Sequence, residues 1–294
     1  MLLTLSNLLY NFMYNLVYKI SQNKSLTIMK IVSIINYKGG VGKTTISMYL
    51  ASALAKFFGK KILLIDIDPQ ANTTETMLPP GVDIKKIGSM KEFLDPDSNE
   101  PLEKFIIPSR MKNIDLIGND PDILLIDDKI LQRHESLEKL SQHLNKINKQ
   151  LKNEFNYDFC LIDCPPYISQ YALMALLASD YYIVPLEADD SFSLNGLEIL
   201  STKIKFVRES NPKLRLLGYI INKLDLRTKL GQTMPQIIRN QLKEKLFNTP
   251  IKISSDIKAS IAVRTPLFDY KPRSKAVYNF RDLAKEFLER INKV

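Results

Sequence analysis

From Lys30 onward, short runs of apolar and β-branched residues alternate with longer stretches of helical periodicity. The strand-like runs are Ile31 to Ile35, Ile62 to Ile67, Ile114 to Ile117, Phe159 to Ile162, Tyr181 to Pro185 and Leu216 to Asn222, with a shorter one near Ile251 to Ile253. Between most of them lie helix-length segments: Thr44 to Phe58, Leu137 to Leu151, Leu194 to Glu209 and Met234 to Leu246. Continuous apolar runs separated by helices predict strands buried on both faces and joined by right-handed crossovers. The fold class is α/β: a doubly wound, mostly parallel sheet with helices on both faces. The stretch from Pro79 to Pro108, rich in Pro, Asp and Ser, predicts a surface loop. No internal repeat and no low-complexity tract interrupts the pattern.

Residues 1 to 28 have a different character. Thr4, Asn7, Asn11, Asn15 and Lys19 recur at steps of three or four, a narrow polar stripe on an otherwise apolar helix. No positive charge precedes the apolar run, which disfavours a signal peptide, and the asparagines disfavour a membrane span. Two expectations stand: an accessory segment or mis-called start before a working domain of residues 29 to 294, or a helix that docks on a partner or a membrane surface.

Composition narrows the class further. The chain has 294 residues, 45% hydrophobic and 25% charged, ordinary values for a globular protein and enough for a substantial core. Net charge is +9, but residues 201 to 294 carry 21 Lys/Arg against 8 Asp/Glu, while the first 200 carry 20 against 24. That asymmetry predicts a polyanion-facing surface on the C-terminal third. Its only cysteines, Cys160 and Cys164, cannot build a disulfide framework, and with no Ala-x-Ala-like cleavage site the chain reads as cytoplasmic. They lack metal-ligand spacing with His134 and His143, so a zinc site is not expected, and the histidines read as surface residues.

Three of the ten glycines fall in Tyr37-Lys38-Gly39-Gly40-Val41-Gly42-Lys43-Thr44-Thr45, between the first strand and the first helix. Glycines there let backbone N–H groups converge on phosphate oxygens at a helix N-terminus, Lys43 adds charge at the terminal phosphates, and the Thr44 hydroxyl suits magnesium. The ordinary Gly-x4-Gly-Lys-Ser/Thr rule fails, since its first glycine falls at Tyr37, and a second lysine, Lys38, stands inside the loop. This run resembles the deviant Walker A ATPases typified by ParA and MinD, whose loop reads Lys-Gly-Gly-x-x-Lys-Thr. The resemblance implies a P-loop NTPase fold binding ATP and Mg2+. It also implies that Lys38 reaches across to the nucleotide of the other subunit in an ATP-dependent homodimer, much as an arginine finger does.

Three aspartates end apolar strands, where open α/β sheets bind ligands. In Ile65-Asp66-Ile67-Asp68-Pro69-Gln70-Ala71-Asn72-Thr73-Thr74 the two aspartates are spaced to share a strand face. By the family pattern Asp68 orients the attacking water and Asp66 supports the magnesium site, and the Asp-Pro-Gln-x-Asn-x-Thr continuation resembles the ParA branch. Phe159-Cys160-Leu161-Ile162-Asp163-Cys164-Pro165-Pro166 looks like a Walker B strand whose Asp163 holds magnesium through water. Asn222-Lys223-Leu224-Asp225 matches a guanine-reading signature, yet Asp225-Leu226-Arg227-Thr228 resembles the Asp-x-Arg-Thr segment of ATP-binding ParA proteins, which puts Asn222 near adenine.

The likeness runs from Lys30 to the C-terminus and implies partition of a plasmid or chromosome. The expected partners are non-specific double-stranded DNA of the nucleoid and a ParB-like centromere-binding protein that stimulates hydrolysis. Candidate DNA contacts are Lys203, Lys205, Arg208, Arg239, Lys243, Lys258, Arg264, Lys271, Arg273 and Lys275. The residues preceding Ile31 are too few for the operator-binding domain of many plasmid relatives, so no sequence-specific autoregulation is expected. The alternative is a MinD-like ATPase at a membrane surface, carried by the N-terminal helix or by the amphipathic Val277 to Val294 tail. A metabolic or redox ATPase of the same fold requires cluster-ligating cysteines or a substrate pocket, for which the sequence offers no set.

Overall fold

The structure is a computed structural model that describes residues 28–149, 154–167, 169–188 and 193–293. The polar stripe read in residues 1 to 27 lies outside the described residues, as does the side chain of His134. Seven strands form one sheet: β1 (Lys30–Ile34), β2 (Ile62–Asp66), β3 (Ile107–Pro108), β4 (Ile114–Ile117), β5 (Phe159–Asp163), β6 (Tyr181–Glu187) and β7 (Arg215–Asn222). Their spatial order is β3-β4-β2-β5-β1-β6-β7, and every pairing is parallel except that of β3 with β4. The doubly wound parallel sheet read from the sequence is therefore present. Strands β2 and β5 are buried at every residue, which is why they lack polar alternation.

Successive strand residues face opposite cores, since side chains alternate across a pleated sheet. Ile31, Leu63, Ile65, Cys160 and Ile162 face one core, while Val32, Ile34, Ile62, Leu64, Phe159 and Leu161 face the other. The second core is closed by α1 (Lys43–Phe58) and the C-terminal helix α12 (Lys275–Lys293). Val277, Phe280, Leu283, Ala284 and Phe287 of that helix are all buried, so the apolar stripe of the tail is turned inward against the sheet. Among the described residues no helix is long and apolar enough to cross a membrane.

Three expectations are corrected. Residues 79 to 108 are not one continuous surface loop: between their exposed turns they form helices α3 (Ile84–Ile87) and α4 (Met90–Leu94), a 3-10 turn at Leu102–Phe105 and β3. Met90, Phe93, Leu94, Leu102 and Phe105 are buried there. The turn residues between them break up any period a sequence window would register. His143, on α6 (Lys139–Lys149), is half-buried beneath this segment: its Nδ1 accepts from the Leu102 N–H at 3.4 Å, and its ring meets Phe93 edge-on at 5.1 Å. The run near Ile251 is not a strand of the sheet; it makes a single parallel bridge, Leu224 to Lys252, beside β7.

The carboxyl ends of the strands carry Asp66, Asp163, Glu187 and Asn222 as final residues, with Asn36 and Asn119 following β1 and β4. All six therefore gather at one edge of the sheet, where α1 begins.

Candidate functional site

Residues 35 to 42 turn sharply from β1 into α1. Asn36 fixes the entry: its Nδ2 donates to the Pro185 carbonyl at 2.7 Å and its Oδ1 accepts the Lys38 N–H at 3.0 Å. Gly40 and Gly42 have φ of 79° and 91°, the left-handed region that favours glycine. At Gly42 a Cβ would also stand 2.0 Å from Asn222 Nδ2. Helix α1 starts on Gly42 with no side-chain cap, so its first N–H groups are left for a ligand. Gly39, Gly40, Gly42, Lys43, Thr44, Thr45 and Asp68 line one cleft of about 370 Å3. Val41, taken with them in the sequence, is buried behind it.

Lys43 is buried, and its Nζ donates to the Lys38 carbonyl at 3.1 Å. Burial lowers its pKa, while Asp163 and Asp68 pull it back up. Asp163 stands beside Asp66 across the β2–β5 pairing, and both are fully buried. Its Oδ2 accepts from Thr73 Oγ1 at 2.7 Å and its Oδ1 from Ser47 Oγ at 3.2 Å. Burial pushes Asp163 up to about 6, against the hydrogen bonds from Thr73 and Thr44. Asp66 is also raised by burial and by the charge of Asp163. Its oxygens are already taken: Oδ1 accepts the Asp68 N–H at 3.1 Å, and Oδ2 accepts the N–H and hydroxyl of Thr74 at 2.8 and 2.7 Å. Asp66 thus braces the turn that carries Asp68.

Asp68 lies 6% exposed at the cleft wall, with Oδ1 accepting the Gln70 N–H at 2.9 Å, and burial raises its pKa. Asn119 donates from Nδ2 to the Asp68 carbonyl at 3.0 Å, a second brace on that residue. Crowded buried carboxylates beside hydroxyls are a hard-oxygen set, and a divalent cation would relieve their mutual repulsion. Thr44 and Asp163 therefore fit a magnesium ion, with the remaining positions left to phosphate and water.

Lys38 sits on the rim with its side chain half-exposed, 3.6 Å from Glu187 at the end of β6. Glu187 also takes Lys223 at 2.6 Å. Asn222 lies behind the loop, where its Nδ2 donates to the Val41 carbonyl at 2.8 Å. Asp225 is bound through both oxygens by Arg227, at 2.6 and 2.8 Å, and this partner pulls its carboxyl down to about 2.

The ten basic candidates separate into groups. Lys258, Lys271, Arg273 and Lys275 border one groove of about 1020 Å3, together with Arg227 and Lys252, which the sequence had not singled out. Lys203 and Lys205 are exposed on α8 (Ser193–Ser210). Lys243, also exposed, follows α9 (Lys229–Leu242). Arg239 is occupied by Asn248 and the Phe247 carbonyl, and Arg208 by the Leu214 carbonyl. Arg264 joins the phosphate-loop cleft instead.

Sequence reasoning assigned no role to Asn36, Ser47, Thr73, Thr74, Asn119 or Glu187. Ser47 follows Lys43 by one helical turn, and Asn119 follows a strand end; those were the available signals.

The AAA domain family matches residues 29–216. The sporulation initiation inhibitor protein Soj of Bacillus subtilis is 30% identical over 87% of this chain and 97% of its own length. The virulence plasmid ParA family protein pGP5-D of Chlamydia psittaci is 33% identical over 88% of this chain and 94% of its own. Among solved structures, the septum site-determining protein MinD of Pyrococcus horikoshii, complexed with Mg-ADP, superposes with a TM-score of 0.70 at 25% identity, covering 88% of this chain and 95% of that one.

Proposed function

Because the chain belongs to the ParA family of ATPases, we propose that it binds and hydrolyses Mg-ATP as a dimer on nucleoid DNA, and so partitions a plasmid or chromosome. The observation that carries this reading is the convergence of Lys43, Thr44 and Asp68 on one cleft at the carboxyl ends of the strands, with Asp163 buried beneath it and hydrogen-bonded to Thr44. The loop N–H groups cradle the phosphates, and Lys43 exchanges the Lys38 carbonyl for a phosphate oxygen. Thr44 and Asp163 would hold a magnesium ion, which would supply neutralisation of the phosphate charge. Asp68, fixed by Gln70, Asn119 and Asp66, orients the attacking water. Lys38 leaves Glu187 and crosses to the partner's nucleotide, supplying a cation where charge develops. The run Asp225-Leu226-Arg227-Thr228, which resembles the Asp-x-Arg-Thr segment of ATP-binding ParA proteins, supports adenine over guanine.

The groove bordered by Lys258, Lys271, Arg273 and Lys275 supports a phosphate-contacting surface that reads no sequence, although Asp225, Asp256 and Asp282 also line it and Lys271 is paired with Asp256 at 2.8 Å. A ParB-like partner then stimulates turnover and release. The inward-turned stripe of α12 weighs against a membrane-docking tail. The test measures DNA binding with ATP, ADP and no nucleotide across a salt series, alongside liposome pelleting. ATP-dependent DNA binding that falls steeply with salt is expected. Lys43→Gln abolishes nucleotide binding, whereas Lys38→Gln keeps ATP but loses the dimer. Liposome pelleting without DNA affinity, or identical behaviour of the two lysine variants, overturns the corresponding part.

A further inference from the structure

Arg264 is out of place as a surface basic residue. It follows α10 (Ser255–Ala262) and lines the same cleft as Gly40, Lys43, Thr44 and Thr45, facing Glu75 of α2 (Asn72–Met77). Its Nε lies 3.3 Å from Glu75 Oε2, and its side chain remains 67% exposed. Its backbone has φ of 48°, the left-handed value of the residue that closes α10 in a Schellman cap. Its N–H donates to the Ile261 carbonyl at 3.0 Å, and the next N–H, of Thr265, donates to the Ser260 carbonyl at 2.9 Å. Arg110 Nη1 donates to the Arg264 carbonyl at 2.8 Å, while the Arg110 N–H donates to Met77 at the end of α2 at 3.0 Å. The helix cap and Arg110 therefore fix the backbone of Arg264 at the rim of the cleft, while its side chain stays exposed.

We propose that Arg264 is a ligand of the nucleotide's phosphate chain, held in readiness by Glu75. The inference rests on the reading of the cleft as a nucleoside triphosphate site. An exposed ion pair such as Arg264–Glu75 contributes little, because both groups remain solvated. A guanidinium facing a polyphosphate gains charge-assisted, bidentate hydrogen bonds that Lys43 alone cannot supply. The exchange of Glu75 for phosphate is therefore favourable, and the locked backbone keeps the arginine on the cleft rim until it occurs. Glu75 carries the opposite sign into the same cleft, so without Arg264 against it the glutamate would repel the incoming phosphates.

The test uses the full chain and measures affinity for fluorescent ATP with magnesium, and for AMP by competition. Arg264→Gln is expected to weaken ATP binding roughly tenfold, the scale of a charge-assisted contact, and to leave AMP nearly unchanged. Glu75→Gln is expected to tighten ATP binding, and Arg264→Lys to recover part of the loss. Equal weakening by Glu75→Gln and Arg264→Gln makes the pair a structural strut and overturns the proposal. So does unchanged ATP affinity in Arg264→Gln while the wild-type chain binds ATP, or equal weakening for AMP. A wild-type chain that binds no ATP refutes the nucleotide reading itself instead.

Discussion

Asn222 shows what a single side chain contributes to the loop. Buried at the end of β7, it donates to the Val41 carbonyl and fills the space that a side chain at position 42 would need. Replacing Asn222 by Ala leaves that carbonyl without its partner and opens a void beside Gly42. We expect a stability loss of about 1–3 kcal/mol, the range for an orphaned buried polar group. Urea unfolding checks this; a variant as stable as the wild type would confine Asn222 to contacts with the ligand. At this scale the sequence was legible where the chemistry is contiguous. The glycine loop, Asp68 and Asp163 are each announced by a strand that ends at them. Glu187 and Asn119 were not legible, because their roles come from strands adjacent in space and distant in sequence. Lys38 meets Glu187 only because β6 lies beside β1 in the sheet. Asn222 was read as a neighbour of the base, and a strand-end position could not reveal that its amide turns toward the loop.

At the scale of elements, the segment between α3 and β3 was the least legible. Short helices and a 3-10 turn bury their apolar residues at irregular spacing, so no period identifies them. Its docking on α6 runs through His143. Burial holds that imidazole below its ordinary pKa of 6.5, with Lys139 and Lys146 adding to the depression and Glu103 opposing it. Protonation also removes the acceptor for the Leu102 N–H. The native state therefore binds the proton less readily than the unfolded chain does, and stability present above pH 6.5 is lost as pH falls below that value. We expect His143 to contribute a fall in the urea midpoint between pH ~7.5 and ~5.5, against Asp163 and Asp66, whose raised pKa values favour the native state as pH falls, so His143→Gln is expected to shift the slope toward greater stability at the acid end. An unchanged slope would show that other groups control it. The long strands and helices were legible because each carries one uninterrupted period. Helix α9 was read as starting at Met234, but Thr228 caps it several residues earlier, its Oγ1 accepting the Gly231 N–H at 2.9 Å. The polar first turn, which includes Gly231, hid that start.

Over the whole molecule, the sheet separates two cores, and the C-terminal helix is an integral wall of one of them. Phe287 is fully buried on α12 and meets Phe159 of β5 edge-on at 5.2 Å. Phe287→Ala is expected to cost about 3–5 kcal/mol, the range for removing a buried aromatic ring. A loss below 1 kcal/mol in calorimetry or denaturant unfolding would show that the helix only drapes over the sheet. The fold class was legible as a whole because the order of strand and helix patterns dictates a parallel sheet, whereas the antiparallel β3 was not. That two-residue strand has a consequence of its own. One border of the sheet ends in Ile107–Pro108, and a proline has no N–H to offer. The other border is bridged by Leu246 and Lys252. A foreign extended peptide finds little ladder to extend on either side, so growth into cross-β fibres is hindered at its first step.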